Sequence, residues 1–445
     1  MPVTERRRAL APPAAVLPRL RTFVSPLTGI VSGVHERLAA PGEDRLVGIA
    51  CGIADGRPTV GEQLVDHTGS EHCRRDEAEA AAIGEALERY AASFVPSDLV
   101  TASAADLPTA VDPEELALFH ETQFEDFSFP FRPFRSDTVV SWVEGFAVPS
   151  GEPAHLPAQL VFMYAGRRGE AEERIAYTTS SGLACAPTLE EAVLAGLLEQ
   201  VERDAVMLTW YDRLSLPLLD WSSDPELVRL DARYFAPSGL RYAAVDMSVF
   251  LGIPTVLGVV HGPPGALGAL GVGAASAETV GAAWRKALGE AFTVQRWVRD
   301  RAVENPTELD RAAADICTFE GHTVFYAHPK RAARAAFLDA SEQRRDTREV
   351  APLEGEDVRA RIEFVCARLR RHGISAYAVD VTTPDVRSMG FRVARVLTPG
   401  LCQLDVVERA RFLGSRRLYH AAHDCGLLPR PLAVADLNSD PHPFP

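Results

Sequence analysis

The stretch SSGLACAPTLEEAVLAGLLEQVERDAVMLTWY (180–211) decides how this chain is read. Its first nine residues form a loop, and from Leu189 onward the pattern predicts a long helix over 189–211. Thr188 stands where an N-cap belongs, and Glu191 lies three residues on, the spacing of a capping box. Along this helix Glu191, Ala195, Glu199 and Glu202 recur at intervals of four, four and three. At about 100° per residue they fall within an arc of roughly 80°. Three carboxylates therefore share one face, which repels in an isolated helix unless solvent, arginine or metal ions offset it. Spacing alone favours a solvated face. Against that, Val193, Leu194, Leu197, Leu198 and Val201 leave little room for a wide polar surface.

Outward from this helix, residues 74–94 (RRDEAEAAAIGEALERYAASF) are alanine-rich and predict a second helix. It carries Glu85 and Glu88 followed by Arg89, as the long helix carries Glu199 and Glu202 followed by Arg203. Two copies of E-x-x-E-R weaken the accidental reading. Magnesium prefers carboxylate oxygens and commonly bridges to phosphate. Clustered glutamates with adjacent arginines therefore suit a Mg2+–triphosphate site. Neither a G-x-x-x-x-G-K-[ST] loop nor a G-x-G-x-x-G turn opening a helix is present, so any ATP here uses neither common cradle.

The remaining chain alternates. Strands and turns are expected over 26–60, surface-lying chain over 98–135, and a strand over 138–148 followed by a turn at 149–153. Further strands are expected over 159–165, 174–180 and within 239–273. A third helix is expected over 277–300, polar and partly mobile chain over 300–352, a helix over 354–371, and strands over 374–381 and 390–398. With no internal repeat and no clear linker, the fold class is α/β: one large interleaved domain of mixed sheets and helices, without a P-loop or Rossmann cradle. Residues 1–24 are basic, then apolar, and broken by Pro12, Pro13 and Pro18; they read as a flexible lead-in rather than a signal peptide. The domain is expected over 25–445, with a motif core at 69–425 and a proline-rich tail at 438–445.

Composition narrows the function. The 445 residues are 47% hydrophobic and 24% charged, enough for a core without a disulfide scaffold. A net charge of −15 argues against nucleic acid as the main partner. No apolar run approaches a membrane span. Seven single cysteines without a CxxC pair suit a reducing cytoplasm and make a structural zinc site a poor fit. Only two lysines occur, Lys286 and Lys330, so a lysine at a motif position is unlikely to be drift. Cys185 lies before the long helix, where a thiol can be activated, but a small packed cysteine is the favoured reading.

The runs GEALER (84–89), SSGLACAPTLEEAVLAGLLEQVERDA (180–205) and KALGE (286–290) resemble the three signature regions of the YcaO family. WVEGF (142–146), VDVTTPDVRSMGFRVARVLTPGL (379–401), FLGSRR (412–417) and PHPFP (441–445) extend the likeness from about residue 25 to the end. The resemblance implies an enzyme that binds ATP and Mg2+ and activates peptide-backbone amides. It implies that Glu85, Glu88, Glu191, Glu199 and Glu202 hold Mg2+, that Arg203 lies by the phosphates, and that Glu290 belongs to the nucleotide site. Arg89, placed after Glu88 as Arg203 is after Glu202, joins the cofactor-binding set. Four positions depart from the common pattern: Ala82 for serine, Ser181 for asparagine, Ala195 for an amide, and Lys286 for arginine. Lys286 keeps its charge as a point rather than a fork. The losses at 82 and 195 bear on nucleotide contacts, not on the carboxylates.

The ending, with Pro441, Pro443 and Pro445, resembles the azoline-forming cyclodehydratases. In those the C-terminal carboxylate, here on Pro445, reaches the active site as a catalytic base or orienting group. The implied reaction is attack of a Cys, Ser or Thr side chain of a precursor peptide on the preceding amide carbonyl. Phosphorylation of the amide oxygen by ATP and loss of phosphate then give a thiazoline or oxazoline. A separate leader-peptide-binding partner is expected, because the chain begins almost directly with the catalytic region. A downstream dehydrogenase and a homodimer are further expectations. The rivals are thioamide or amidine formation, which the PHPFP tail disfavours, and a silent peptide-binding scaffold, which Ala82 and Ala195 favour. A metal-dependent hydrolase comes third, lacking clustered histidines.

Overall fold

The computed structural model describes residues 13–56, 67–116, 118–163 and 172–445. Its principal helices are α1 (Pro13–Leu20), α2 (Arg75–Ala91), α3 (Leu189–Tyr211), α4 (Val280–Glu304), α5 (Phe319–Phe325), α6 (Val358–Arg371) and α7 (Arg417–Asp424). The expected capping box forms: the Glu191 N–H donates to Thr188 Oγ1 at 3.2 Å, and the Thr188 N–H donates back to Glu191 Oε2 at 3.1 Å. These bonds satisfy amides at the helix start and fix where α3 begins.

Three sheets underlie the helices. β1 (Val31–Arg37), β2 (Val47–Ile53) and β3 (His67–His72) form an antiparallel sheet in that order. A five-stranded sheet has the order β11 (Leu270–Ser276), β10 (Thr255–His261), β9 (Arg241–Asp246), β8 (Leu218–Asp220) and β12 (Arg344–Asp346), with β12 parallel to β8. The third runs β4 (Val100–Ser103), β5 (Val139–Ala147), β13 (Tyr377–Asp380), β14 (Arg392–Leu397) and β7 (Leu183–Ala186), with β6 (Pro153–Pro157) also paired to β5.

Each long helix covers one sheet and touches another. α2 lies on β2 and β3 and reaches β7; α3 lies on β14 and β7 and reaches β10 and β11; α4 lies on β10 and β11 and reaches β3. Small residues permit this closeness. On α2 the buried face includes Ala78, Ala82, Ala86 and Ala91. Under α4, a Cβ at Gly258 would stand 2.5 Å from the Ala287 carbonyl oxygen, so only glycine lets that helix seat. Because the sheets share helices, the chain interleaves as expected.

Three expectations need correction. Residues 13–20, inside the lead-in read as flexible, form α1, whose Val16, Leu17 and Leu20 are buried against α2; residues 1–12 lie outside the described chain. The strand expected at 159–165 is instead a helical turn at Ala158–Val161, and residues 164–165 lie outside the described chain. The segment 174–180 carries no strand ladder. Isolated bonds hold its start instead: Gln159 Oε1 accepts the Ile175 N–H at 3.2 Å, Gln159 Nε2 donates to the neighbouring Glu173 carbonyl at 2.8 Å, and the Arg132 N–H donates to the Arg174 carbonyl at 2.8 Å. Among the described residues no helix is long and apolar enough to cross a membrane.

Candidate active site

The carboxylate-bearing faces of α2, α3 and α4 converge on one cleft of about 730 Å³. All eleven residues singled out from the sequence line it: Glu85, Glu88 and Arg89 from α2; Ser181; Glu191, Glu199, Glu202 and Arg203 from α3; Lys286 and Glu290 from α4; and Pro445. The last is 155 positions from Glu290, so only the tertiary fold could bring the chain end here.

Backbone amides hold the carboxylates in place. The Cys185 N–H donates to Glu88 at 2.8 Å, the Gly182 N–H to Glu199 at 3.0 Å, the Ser276 N–H to Glu202 at 3.2 Å, and the Ala274 N–H to Glu290 at 2.8 Å. Gly182 has φ +85°, and a Cβ there would collide with the Val396 carbonyl oxygen at 2.2 Å. That left-handed turn, open to glycine, aims its N–H at α3. The Cys185–Glu88 bond joins the first two signature regions, the Gly182–Glu199 bond closes within the second, and Ala274 and Ser276 on β11 serve the third and second.

The cations are interleaved with the acids. Arg89 donates to Glu85 at 3.1 Å, and Arg203 lies 3.4 Å from both Glu199 and Glu202. Burial still dominates the carboxyls. It pushes Glu88 up to about 8, against the pull of Arg89 and with help from Glu85 and Glu199. Burial likewise raises Glu202 and Glu290, which lie close to one another, despite Arg203. Burial works to lower Arg203, but Glu202, Glu199 and Glu290 together hold it above the usual guanidinium range. A site so rich in crowded carboxyls is short of positive charge.

The donor set fits Mg2+ and a polyphosphate. Hard carboxylate oxygens from three helices face one space, as a hard divalent cation requires. Among the described residues, the buried Arg89 Nη1 and Arg203 Nε have no hydrogen-bond partner, and orphaned guanidinium donors are what phosphate oxygens satisfy. Exposed Lys286 lines the same cleft. Ser181 is buried, its Oγ accepting from the Thr179 hydroxyl at 3.1 Å.

The departures from the family pattern separate here. Ala195 is exposed and lines the cleft, whereas Ala82 is buried in an apolar cluster with Val16, Leu17 and Ile83 and does not line it. Its carbonyl merely accepts the Thr68 hydroxyl at 2.9 Å. Half of the sequence case for a silent scaffold therefore falls away. Cys185 is half-buried, and burial pushes its thiol well above the usual range, as a packed cysteine requires.

Sequence reading missed several contributors. The four backbone donors carry no side-chain signal at all. His72 lines the cleft, and burial pushes its imidazole down to about 4, which keeps it neutral. Arg395 sits buried in β14, donates to the Thr179 carbonyl at 2.8 Å, and places its charge near Glu199. An arginine inside the apolar run VARVL was its one visible signal.

The tail is ordered, not frayed. Asn438 N–H donates to the Tyr211 carbonyl at the end of α3 at 2.8 Å, Trp210 Nε1 donates to the Asp440 carbonyl at 3.1 Å, and Phe444 is 1% exposed.

Residues 72–402 match the model of the YcaO cyclodehydratases, described as ATP- and Mg2+-binding. An uncharacterized protein of Methanothermobacter thermautotrophicus is 26% identical over 351 residues, 78% of this chain and 84% of its own. Among solved structures, a heterocyclase in complex with substrate and cofactor superposes with a TM-score of 0.81 at 23% identity, covering all of this chain. The heterocyclase TruD gives 0.70 at 22% identity, also over the full chain. This chain spans 59% and 56% of those two proteins. YcaO from Methanopyrus kandleri, bound with AMPPCP and Mg2+, gives 0.63 at 19% identity, covering 90% of this chain and 94% of its own. With the family model spanning most of its length and the three signature helices meeting in one acidic cleft, this chain belongs to the YcaO family of ATP- and Mg2+-binding cyclodehydratases.

Proposed function

We propose that the chain is an ATP-dependent cyclodehydratase that converts Cys, Ser or Thr residues of a precursor peptide to thiazolines or oxazolines. The observation that carries the reading is the position of Pro445: the chain terminus lines the same cleft as the six glutamates, Arg89, Arg203 and Lys286.

Glu85, Glu88, Glu191, Glu199 and Glu202 are the groups that would hold Mg2+, with Arg89, Arg203, Lys286 and Ser181 toward the phosphates and Glu290 close to Glu202 and Arg203. When bound, Mg2+·ATP supplies the phosphoryl group with which the amide oxygen departs. The chain's own work is positioning and charge neutralisation, the usual division in phosphoryl transfer. A substrate thiol or hydroxyl attacks the preceding carbonyl carbon; the oxygen leaves as phosphate and the amide proton must be taken up. The Pro445 carboxylate is the group we assign to that proton, or to orienting the nitrogen that loses it. Such a carboxylate is a mild base, so its effect rests on placement. Glu191 divides its duties, since its Oε2 also accepts from Thr188 to cap α3.

The peptide would be presented by a separate leader-binding protein, in the cytoplasm, and a dehydrogenase could act on the azoline afterwards. Two fold neighbours support the reading in kind: one is a heterocyclase in complex with substrate and cofactor, and the other is an E. coli microcin synthetase complex, with a TM-score of 0.58. The test is mass spectrometry of a Cys- and Ser-containing precursor incubated with the chain, its partner and Mg2+·ATP. Loss of one water per ring, with release of phosphate, supports azoline formation. Exchange of oxygen for sulfur would establish thioamidation instead, and an unchanged mass without ATP turnover would establish the scaffold.

A further inference from the structure

The proline tail cannot hold itself in place. Pro441, Pro443 and Pro445 lack N–H donors, so no backbone ladder is open to it. Aromatic rings hold it instead, at three consecutive carbonyls. Trp210 Nε1 donates to the Asp440 carbonyl at 3.1 Å, Tyr326 Oη donates to the Pro441 carbonyl, and His322 Nδ1 lies 3.1 Å from the His442 carbonyl oxygen. His322 is the last of these before the chain end.

His322 is fully buried on α5 and stacks on His442, ring centroids 3.9 Å apart and planes within 6°. Its Nε2 lies 3.1 Å from the Val406 carbonyl oxygen; the neutral ring carries one N–H, which donates to one of these two carbonyls, and the ring packs between tail and loop. His442 ties the tail to the loop: Nε2 stands 2.6 Å from the Asp405 carbonyl oxygen, and Nδ1 accepts the Phe444 N–H at 3.2 Å. Those partners set its tautomer, with the proton on Nε2. Pro443, Phe444 and Pro445 follow. Two of the three have φ locked by the ring, so the direction fixed at residue 442 is transmitted stiffly to the terminus.

We propose that His322 is a positioning residue: by clamping His442 against residues 405–406 it sets where the Pro445 carboxylate stands in the cleft. This rests on the role assigned above to Pro445. It accounts for two buried imidazoles that do not line the cleft and that the reaction itself does not use. His322, Asp405 and His442 also place ligand atoms within 4.8 Å of one another, a spacing a metal ion could use. The hydrogen bonds argue otherwise, since both nitrogens of His442 are already engaged with backbone.

The experiment compares wild type, His322→Ala, His322→Asn and a Pro445 deletion, alone and combined, with a synthetic Cys- and Ser-containing peptide, the partner and Mg2+·ATP. An asparagine Nδ2 can occupy the place of the imidazole Nδ1. We expect His322→Ala to lower kcat about a hundredfold, the scale of an angstrom of misplacement. ATP KM should stay within about twofold, and His322→Asn should recover most of the rate. In the Pro445-deleted background His322→Ala should have no further effect on kcat. A second readout needs no peptide substrate: carboxypeptidase Y should release Phe444 and Pro445 quickly from His322→Ala and slowly from wild type and His322→Asn. Additive losses of kcat, or a tail equally resistant in wild type and His322→Ala, would overturn the clamp. So would one equivalent of zinc in the wild-type protein that His322→Ala lacks. If the Pro445 deletion alone leaves kcat unchanged, the catalytic role of the terminus fails, while the digestion still reports on the clamp.

Discussion

The carboxylate of Glu88 on α2 accepts the backbone N–H of Cys185 at 2.8 Å, across 97 positions of sequence. This bond ties the first signature helix to the loop that opens the second, and it leaves a carboxyl held by burial at a pKa near 8 beside Arg89. Glu202 repeats the arrangement between α3 and β11 through the Ser276 N–H. The glutamates are therefore both wall and ligand, and their substitution should affect each function differently.

Glu199→Ala and Glu202→Ala should each lower peptide-dependent ATP turnover by about a hundredfold or more, because metal-held phosphate has no substitute donor. Their unfolding temperatures should stay near wild type without Mg2+, since each removes a crowded charge. Phosphate release and thermal denaturation check the pair; undiminished turnover in both would remove them from the site.

Metal dependence should vary with pH. A carboxyl whose pKa rises on folding, from 4.5 to about 8 for Glu88, contributes stability that is complete below the unfolded value and is lost as pH climbs through the folded one. Mg2+ needs the ionised form and releases the proton. The gain in unfolding temperature on adding Mg2+ alone should therefore be larger at about pH 8.5 than at about pH 6. A gain independent of pH would mean that Glu88 does not ligate.

Extending the chain past Pro445 by even one glycine should cost as much kcat as deleting Pro445, because the carboxylate is then displaced from its place. A C-terminal affinity tag is the simplest version. Full turnover with such a tag would show that the terminus is a filler of the cleft and not a participant.

Lys286 is exposed at the cleft wall and stands where the family commonly carries arginine. Lys286→Ala should raise the KM for ATP about tenfold, whereas Lys286→Arg should stay within about threefold of wild type. Steady-state kinetics at varied ATP distinguishes a phosphate contact from a solvated surface lysine, which would leave KM unmoved.

Arg417 grips the fully buried Asp204 of α3 with two bonds, 2.9 Å and 2.6 Å. Removing one partner of such a pair strands the other charge, at a cost of about 3–5 kcal/mol. Arg417→Ala should therefore lower stability sharply in urea unfolding, and the Asp204→Asn, Arg417→Ala double variant should recover part of the loss.

Much of this molecule was legible before any coordinates. The long helix at 189–211, its Thr188 cap and its glutamate stripe follow from periodicity and side-chain chemistry, which are local. The E-x-x-E-R repeat named the residues that line one wall. Local patterns read less well where isolated bonds replace ladders: Gln159 and Arg132 hold Ile175 and Arg174 without a strand, and buried Val16, Leu17 and Leu20 turn the expected lead-in into α1.

Which acids share a cleft, and what else enters it, could come only from the tertiary structure. Backbone donors at Gly182, Cys185, Ala274 and Ser276 have no side-chain signature, and their aim depends on how β7, β11 and the glycine turn pack against the helices. The same holds for the terminus. A proline-rich ending is readable as a motif, but its course is set by rings on α3, on α5 and just past the end of α5 that lie more than a hundred residues away. Periodicity reports what a residue does to its neighbours in the chain; the position of Pro445 in the cleft that Glu202 lines is decided by contacts that periodicity does not encode.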